Sequence, residues 1–241
     1  MKVAEKIERK IKRMKEGKSF NYQQLGIDQR EYSAAAKAIE RLIKKGIVKR
    51  VNTGVFYKPK QSAFGELRPV EDELLKPYLF QDGKRIAYIT GGSLYNRMGL
   101  TTQVPQTIKV ASKVKRVTTK IGKTPVKPVK SYVDVTNENF YLLEILDALK
   151  DFKTISDLDK KSAITLLKNK IGTLSDNDRS KMIRYAMKYP PRATALLGAI
   201  LELSNKNNGL ESLKTKLNPL TTYKLGIKEE ILPTAPNWNI N

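Results

Sequence analysis

The hydrophobic pattern of residues 28–59 predicts a helix followed by a two-stranded hairpin. Apolar residues recur there at steps of three and four, as on the buried face of a helix: Tyr32, Ala35, Ala36, Ile39, Leu42 and Ile43. Gly46 is suited to end this helix. Residues 47–51 and 55–58 are typical of strands, and the turn signal Asn52-Thr53-Gly54 joins them. We therefore expect a helix and a hairpin that follow each other closely.

Residues 1–27 complete the pattern of a small DNA-binding fold. Residues 1–17 predict a basic amphipathic helix, and residues 20–27 predict a short second helix. Helix, short helix, long helix and hairpin in this order predict a winged helix-turn-helix over residues 1–60. In such a unit the third helix enters the major groove, and the hairpin wing contacts the adjacent backbone.

The polar side of the long helix supplies the candidate DNA contacts. On the helix these are Arg30, Ser33, Lys37, Arg41 and Lys44, and on or beside the wing they are Lys49, Arg50, Asn52, Thr53 and Lys58. Arg and Lys contact guanine edges, and Ser contacts bases or phosphates. Two other interpretations remain open: a merely solvated surface, and a winged helix that docks another protein. Residues 1–60 contain 17 basic and 6 acidic residues, which favours DNA.

Composition narrows the chemistry further. The 241 residues include 46 basic and 24 acidic residues, for a net charge of +22 that attracts polyanions. The chain has no Cys, which excludes disulfides, and no His, which removes the commonest general base and transition-metal ligand. We therefore expect no cofactor, no metal site and no enzyme. No apolar run is long enough to span a bilayer, and no signal-peptide core is present, so we expect a cytoplasmic protein.

The middle of the chain predicts a second, smaller unit. Residues 60–69 have the composition of a linker, and residues 70–136 predict a small α+β domain. Its expected elements are a helix near 70–80, a strand at 85–89, a short helix at 93–98, and an antiparallel meander with strands at 106–111, 115–121 and 126–135.

A long basic tract crosses this middle unit. Between Gly83 and Val133 there are 11 Lys and Arg residues and no Asp or Glu. The candidates for contact with phosphate or with an acidic partner are Lys109, Lys113, Lys115, Arg116, Lys120 and Lys123. The other interpretation is a solvated face of the sheet.

The turn Gly91-Gly92-Ser93 raises an alternative from another functional class. A Gly-Gly-Ser turn opens the active site of nucleotidyltransferases, where acidic residues shortly after the turn hold Mg²⁺. The acid-free tract lacks those ligands. We therefore expect a tight strand-to-helix turn and keep a nucleotidyltransferase-like enzyme as the alternative.

The last region, residues 137–241, predicts helices followed by an extended tail. The expected helices lie at 138–151, 162–171, 176–188, 192–205 and 210–217. Ser175 is suited to cap the third of them. We expect Trp238, in the tail, to dock onto the body of the protein or into a partner. The fold class is thus α+β.

Two stretches resemble the AbiEi-type antitoxins. One runs from Ala35 to Val48 and on to Gly54-Val55-Phe56-Tyr57, similar to the winged-helix head of that family. The other is the short helix at 92–98 with Gly99-Leu100 after it and Pro105 before the strands. The resemblance covers roughly residues 20–135. It implies a repressor that binds its own promoter and counteracts a nucleotidyltransferase toxin of a phage-defence pair, usually without a stable complex.

Overall fold

The computed structural model describes residues 3–63, 65–67 and 69–241. The helices are α1 (Val3–Arg13), α2 (Tyr32–Lys44), α3 (Glu71–Leu79), α4 (Gly92–Met98), α5 (Phe140–Asp151), α6 (Lys160–Gly172), α7 (Asp176–Ala186), α8 (Pro191–Leu203) and α9 (Leu210–Lys216). The strands are β1 (Ser19–Asn21), β2 (Lys49–Asn52), β3 (Val55–Tyr57), β4 (Lys60–Ser62), β5 (Gly65–Leu67), β6 (Phe80–Gln81), β7 (Lys84–Arg85), β8 (Ala87–Thr90), β9 (Ile108–Ser112), β10 (Thr119–Ile121) and β11 (Thr124–Lys130). Short 3₁₀ helices lie at Gln29–Glu31, Phe152–Thr154 and Pro236–Trp238. The fold is mixed α+β, as the sequence predicts.

Internal packing divides the chain into two compact units. The first comprises Met1–Ile86 and Val117–Val126, and the second comprises Ala87–Arg116 and Lys127–Asn241. The chain thus returns to the first unit for β10 and for the beginning of β11. The domain boundaries predicted at 60–70 and 136–137 stay predictions.

The core of the first unit lies between α1, α2 and a three-stranded sheet. The sheet has the order β1-β3-β2, and both pairings are antiparallel. Ile7 and Ile11 of α1 and Ile39 of α2 are buried together with Phe20 and Phe56 of the sheet. The rings of Phe20 and Phe56 lie 5.8 Å apart between centroids. Large apolar side chains from every layer therefore hold the two helices against the sheet.

The buried face of α2 differs in part from the predicted one. Ala35, Ile39 and Leu42 are buried as predicted, but Ala38 is buried and Ala36 is exposed. The side chains of α2 that contact α1 and the sheet therefore centre on positions 35, 38, 39 and 42. Sequence could not separate the alanines because a methyl group costs little when it is exposed.

The predicted short helix at 20–27 is replaced by strand and turn. Phe20 lies in β1, opposite Phe56, and residues 22–26 form turns. Asn21 and Gln24 each accept the other's backbone N–H through their side-chain oxygens, at 2.9 Å in both cases. Gly26 has a φ of +60°, which ends any continuation of a helix there. Leu25 and Ile27 are buried in the core of the first unit.

The predicted linker at 60–69 contains a hairpin. β4 and β5 pair antiparallel, with Lys60 opposite Leu67 and Ser62 opposite Gly65. Phe64 and Arg68 of that stretch lie outside the described residues. The helix predicted near 70–80 is α3, which continues through Pro77 to Leu79. Pro77 lies inside this helix, two residues before its end.

In the second unit β8 pairs antiparallel with β9, and β11 lies beside β9 on its other side. The three predicted strands therefore do not form a simple meander, in which β9 would neighbour β10. β10 pairs instead with the first residues of β11, Thr124 to Val126, within the first unit. The third predicted strand also ends at Lys130, five residues before the predicted end.

The C-terminal helices agree with the prediction within a few residues. The N–H of Asp178 donates to the Ser175 hydroxyl at 3.1 Å, so Ser175 caps α7 as predicted. α8 is the centre of this bundle, and its residues from Ala193 to Leu201 are all buried. No helix in the described part of the chain is long and apolar enough to cross a membrane.

The C-terminal tail is fixed onto the second unit by Trp238. The indole is buried and lies directly over Gly198 of α8, where an added Cβ would be 2.1 Å from the ring. The Trp238 N–H donates to Glu202 Oε2 at 2.5 Å. A parallel bridge joins Tyr223 to Ile240. The predicted docking of Trp238 onto the body is thus confirmed.

Candidate nucleic-acid interface

The exposed side of α2 carries the predicted helix contacts. Arg30, just before the helix, and Ser33, Lys37, Arg41 and Lys44 within it are all exposed. The helix has 13 residues, so it is about 20 Å long. Glu40 is exposed as well and adds one acidic group to this surface. The stripe predicted from periodicity is thus accessible along the whole helix.

Lys49 and Lys58, both predicted to contact DNA, have partners inside the first unit. Lys49 Nζ lies 2.6 Å from Glu66 Oε2. Lys58 Nζ donates to the carbonyls of Lys12 and Met14, at 3.2 and 2.9 Å. These carbonyls are at the C-terminal end of α1, where a cation offsets the negative end of the helix dipole. Lys58 therefore has a clear structural role.

Arg50 and Thr53 remain on the accessible side of the hairpin. The Arg50 guanidinium lies 5.8 Å from the centroid of the Phe56 ring, a cation–π distance that leaves its N–H donors available. Thr53 is exposed in the turn between β2 and β3, and Gly54 beside it has a φ of +78°. Both residues lie on the hairpin β2–β3, and their contact with DNA stays a prediction.

Both the nitrogen and the oxygen of the Asn52 side-chain amide are hydrogen-bonded within the first unit. Its Nδ2 donates to Thr119 Oγ1 at 2.8 Å and to the carbonyl of Lys120 at 3.2 Å. The Tyr78 hydroxyl donates to Asn52 Oδ1 at 2.6 Å. The amide thus connects the end of β2 to α3 and to β10, which lie far away in the sequence.

The residues of the basic tract are distributed over both units. Lys120 and Lys123 belong to the first unit and are exposed around the β10–β11 turn. Lys113 lies in the second unit, 3.0 Å from Asp134. Lys115 and Arg116, also in the second unit, line an open groove of about 330 Å³. The basic tract therefore contributes exposed residues to each of the two units.

The Gly91-Gly92 turn is explained by close packing. A Cβ on Gly91 would be 2.8 Å from Cδ of Lys109, the remaining candidate of the basic tract, and Gly91 has a φ of +71°. A Cβ on Gly92 would be 2.9 Å from Cβ of Pro105. Position 91 therefore favours glycine because of its positive φ, and position 92 does so because a Cβ would collide with the Pro105 ring. Gly99, which ends α4, has a φ of +78°.

Sequence reasoning missed a buried polar cluster in the second unit. Asp147 of α5 is buried and accepts hydrogen bonds from the hydroxyls of Tyr88, at 2.9 Å, and of Thr90. Lys150 Nζ lies 3.3 Å from the other carboxylate oxygen. Burial raises the pKa of Asp147, and attraction to Lys150 offsets only part of that rise. The available signal was an Asp within the apolar stripe of α5.

The structure contains no evident metal centre in its described part. Among residues 3–63, 65–67 and 69–241, no three His, Cys, Asp or Glu side chains are grouped so that they could hold a metal ion. Asp147 is the carboxylate that lies next to the glycine turn, where it accepts a hydrogen bond from Thr90. Both of its oxygens already have partners, the hydroxyls of Tyr88 and Thr90 on one and Lys150 on the other.

Comparisons with known proteins give a fold relative and a family. The chain is similar in structure to the crystal structure of the RV2827C protein from Mycobacterium tuberculosis, with a TM-score of 0.56 and 13% sequence identity. The likeness covers 99% of this chain and 89% of that one, and at this identity it concerns the fold alone. No curated protein matches the chain. The model of DUF6088, a family of unknown function, matches residues 6–174, and the chain therefore belongs to that family.

Proposed function

We propose that this protein is a cytoplasmic, sequence-specific DNA-binding regulator that represses its own promoter and acts as the antitoxin to a nucleotidyltransferase-type toxin. The observation that carries the DNA-binding part is the exposed basic side of α2, opposite the buried positions Ala35, Ala38, Ile39 and Leu42. The recognition helix of a helix-turn-helix protein has this arrangement, with one face in the core and a basic face presented to the major groove.

The elements around α2 support a winged helix-turn-helix assignment. The order α1, β1, α2, β2, β3, with the sheet order β1-β3-β2, places a two-stranded hairpin directly after the candidate recognition helix. In this assignment the turns at 22–26 and the 3₁₀ helix Gln29–Glu31 take the place of the second helix. In this assignment Arg50 and Thr53 are the wing residues that contact the DNA backbone beside the major groove.

The overall charge supports a polyanionic partner. A net charge of +22 in 241 residues raises the association rate with DNA and adds sequence-independent affinity. Charge alone does not give sequence preference, which comes from side chains that reach base edges. The exposed Arg30, Lys37 and Arg41 are the side chains we assign to that role.

The antitoxin part of the proposal depends on the resemblance to AbiEi-type antitoxins. Its support is the helix α2 with the hairpin β2–β3, and the short helix α4 followed by Gly99-Leu100 and Pro105. Leu100 is buried and Pro105 packs on Gly92, so these residues hold together one compact piece of the second unit.

The test is a gel shift with the DNA directly upstream of the protein's own gene and a scrambled duplex of equal length, over a series of salt concentrations. We expect a preference of about 10³-fold or more for the upstream DNA at physiological salt, as for specific regulators. Equal affinity for both duplexes, lost steeply with salt, would reduce the role of the charge to general attraction for phosphates.

The antitoxin role has a separate test. The protein is co-expressed with the product of the neighbouring gene, the candidate toxin, under promoters that the protein does not control. We expect growth to be restored, since this arrangement removes autoregulation from the result. Continued growth arrest at verified expression of both proteins would overturn the antitoxin role and leave DNA binding unaffected.

A further inference from the structure

The hydrogen bonds of Asn52 assign a role to a hairpin that is distant in sequence. Asn52 ends β2, at the turn that we assign as the wing, and its amide binds Thr119 Oγ1 and the carbonyl of Lys120 in β10. Tyr78 of α3 holds the other end of the amide and lies 3.4 Å from Thr119 Oγ1. The hairpin of β10 and β11 is therefore attached at the end of β2.

This second hairpin holds two lysines at its tip, Lys120 in β10 and Lys123 in the turn. Thr119 pairs with Val126, and Ile121 pairs with Thr124. Val126 and Ile121 are buried and anchor the two strands, while Gly122 in the turn has a φ of +60°. Lys120 and Lys123 are both exposed. Within residues 117–126 there is no acidic side chain to offset them.

A groove in the first unit lies between the two hairpins. It has a volume of about 350 Å³, and its lining includes Lys49 and Arg50 of β2 and Gly122 of the second hairpin. Glu66 lies in the same groove, but Lys49 is 2.6 Å from its carboxylate and offsets its charge. Arg50 thus lines one side of this groove, and Gly122, next to Lys123 in the turn of the second hairpin, lines the other.

We infer that the β10–β11 hairpin is a second wing, whose Lys120 and Lys123 contact the phosphate backbone next to the site contacted by α2. The inference rests on the proposed DNA-binding function and extends it to residues that lie some 70 positions after the first wing. Asn52 is then a positioning residue: it holds the second hairpin and does not itself contact DNA.

The chemistry of the surface formed by Lys120 and Lys123, and its attachment to the first wing, favour a DNA backbone as the partner. The tip of the hairpin presents two cations without an exposed apolar side chain beside them, since Ile121 and Val126 are buried. A protein partner bound with useful affinity needs buried apolar contacts at the centre of its interface. A phosphate backbone needs only the charges.

The first experiment compares Lys120→Gln/Lys123→Gln with the wild-type chain and with a charge-matched control, Lys161→Gln/Lys170→Gln on α6. Each phosphate contact contributes ~5-fold at 0.15 M salt, because the counterion effect scales with salt concentration and vanishes near 1 M. Two contacts therefore predict a loss of ~30-fold on upstream and scrambled DNA alike, and a log–log salt slope that is smaller by ~1.8.

The outcomes separate the inference from the proposed function. If the wild-type chain binds the upstream DNA and the hairpin variant loses no more affinity than the α6 control, the second wing is overturned and the DNA-binding function stands. If the wild-type chain binds neither duplex, both are overturned. A loss specific to the hairpin variant, with the smaller salt slope, supports the inference.

A second experiment tests the positioning role of Asn52. Asn52→Ala should weaken binding and lower the salt slope, because the lysines are no longer held in place. Added to Lys120→Gln/Lys123→Gln, it should cause little further loss, since both changes remove the same contacts. Additive losses would mean that Asn52 acts on DNA by itself, and the positioning role would be wrong.

Discussion

Lys37 and Arg41 provide the most direct test of the α2 assignment. They lie four residues apart, about one helical turn, and both are exposed. We propose the double variant Lys37→Ala/Arg41→Ala. Alanine has the highest helix propensity, and exposed positions tolerate substitution within about 0.5 kcal/mol, so the fold should survive.

The size of the effect follows from what the two side chains can contact. A good contact from Arg or Lys to a base edge contributes about 1–3 kcal/mol of discrimination. Two such contacts contribute at least about 2 kcal/mol, which is roughly a 30-fold change in preference. We therefore expect the preference for upstream over scrambled DNA to fall by at least that factor. The total affinity should fall as well, since two charges are lost.

The assay is a competition gel shift in which both duplexes are present, so that the preference is measured directly. The control is Lys161→Ala/Lys170→Ala, which removes the same charge from a helix of the second unit. It should keep the preference and lose only general affinity. A folded Lys37/Arg41 variant that keeps the wild-type preference would refute the assignment of α2 as the recognition helix.

Two further predictions concern the stability of the second unit. Gly198→Ala should lower the free energy of unfolding by about 1–3 kcal/mol, because the new Cβ overlaps the ring of Trp238. The matched change Gly172→Ala meets no atom within 4 Å and should raise the free energy of unfolding by about 0.5–1 kcal/mol. Equal effects of the two changes in urea unfolding would contradict the packing of the tail. Asp147 has a raised pKa in the folded state, so its contribution to stability is present below its unfolded pKa and is lost as pH rises through the folded value. The unfolding free energy of the wild-type chain should therefore fall relative to that of Asp147→Asn as pH rises above 4, and parallel pH profiles of the two proteins would show that Asp147 does not titrate in this way.

Local periodicity was enough to predict most of the helices and much of the exposed surface of α2. Arg30, Ser33, Lys37, Arg41 and Lys44 are exposed because their spacing places them opposite the buried face of one helix, and this depends on nearby residues only. The same reasoning located the C-terminal helices. It was wrong where two solutions are locally equivalent: the exposed and the buried alanine of α2, and the turn that replaces the short helix.

Contacts between distant residues were not accessible to such reasoning. Lys58 is bound to α1 carbonyls 44 and 46 residues away, and the partner of Asn52 is 67 residues away. A polar side chain in a predicted wing has the same appearance in sequence whether it faces solvent or another strand. Only the folded chain shows that these two side chains already have partners.

Because some of the predicted side chains already have partners in the folded chain, fewer positive charges are available to bind DNA. Lys49 and Lys58 would have to leave Glu66 or the end of α1 before they could bind phosphate, and each such exchange returns little net free energy. The cations of the two wings and of α2 that remain are Arg30, Lys37, Arg41, Lys44, Arg50, Lys120 and Lys123. If all seven contact phosphates, a plot of the logarithm of the binding constant against the logarithm of the salt concentration has a slope of about −6 per bound chain. The slope is smaller in magnitude by about 0.9 for each cation that contacts a base edge instead. A steeper slope would require basic residues beyond these seven, either in the first unit, such as the exposed Lys45, or in the second, such as Lys115 and Arg116.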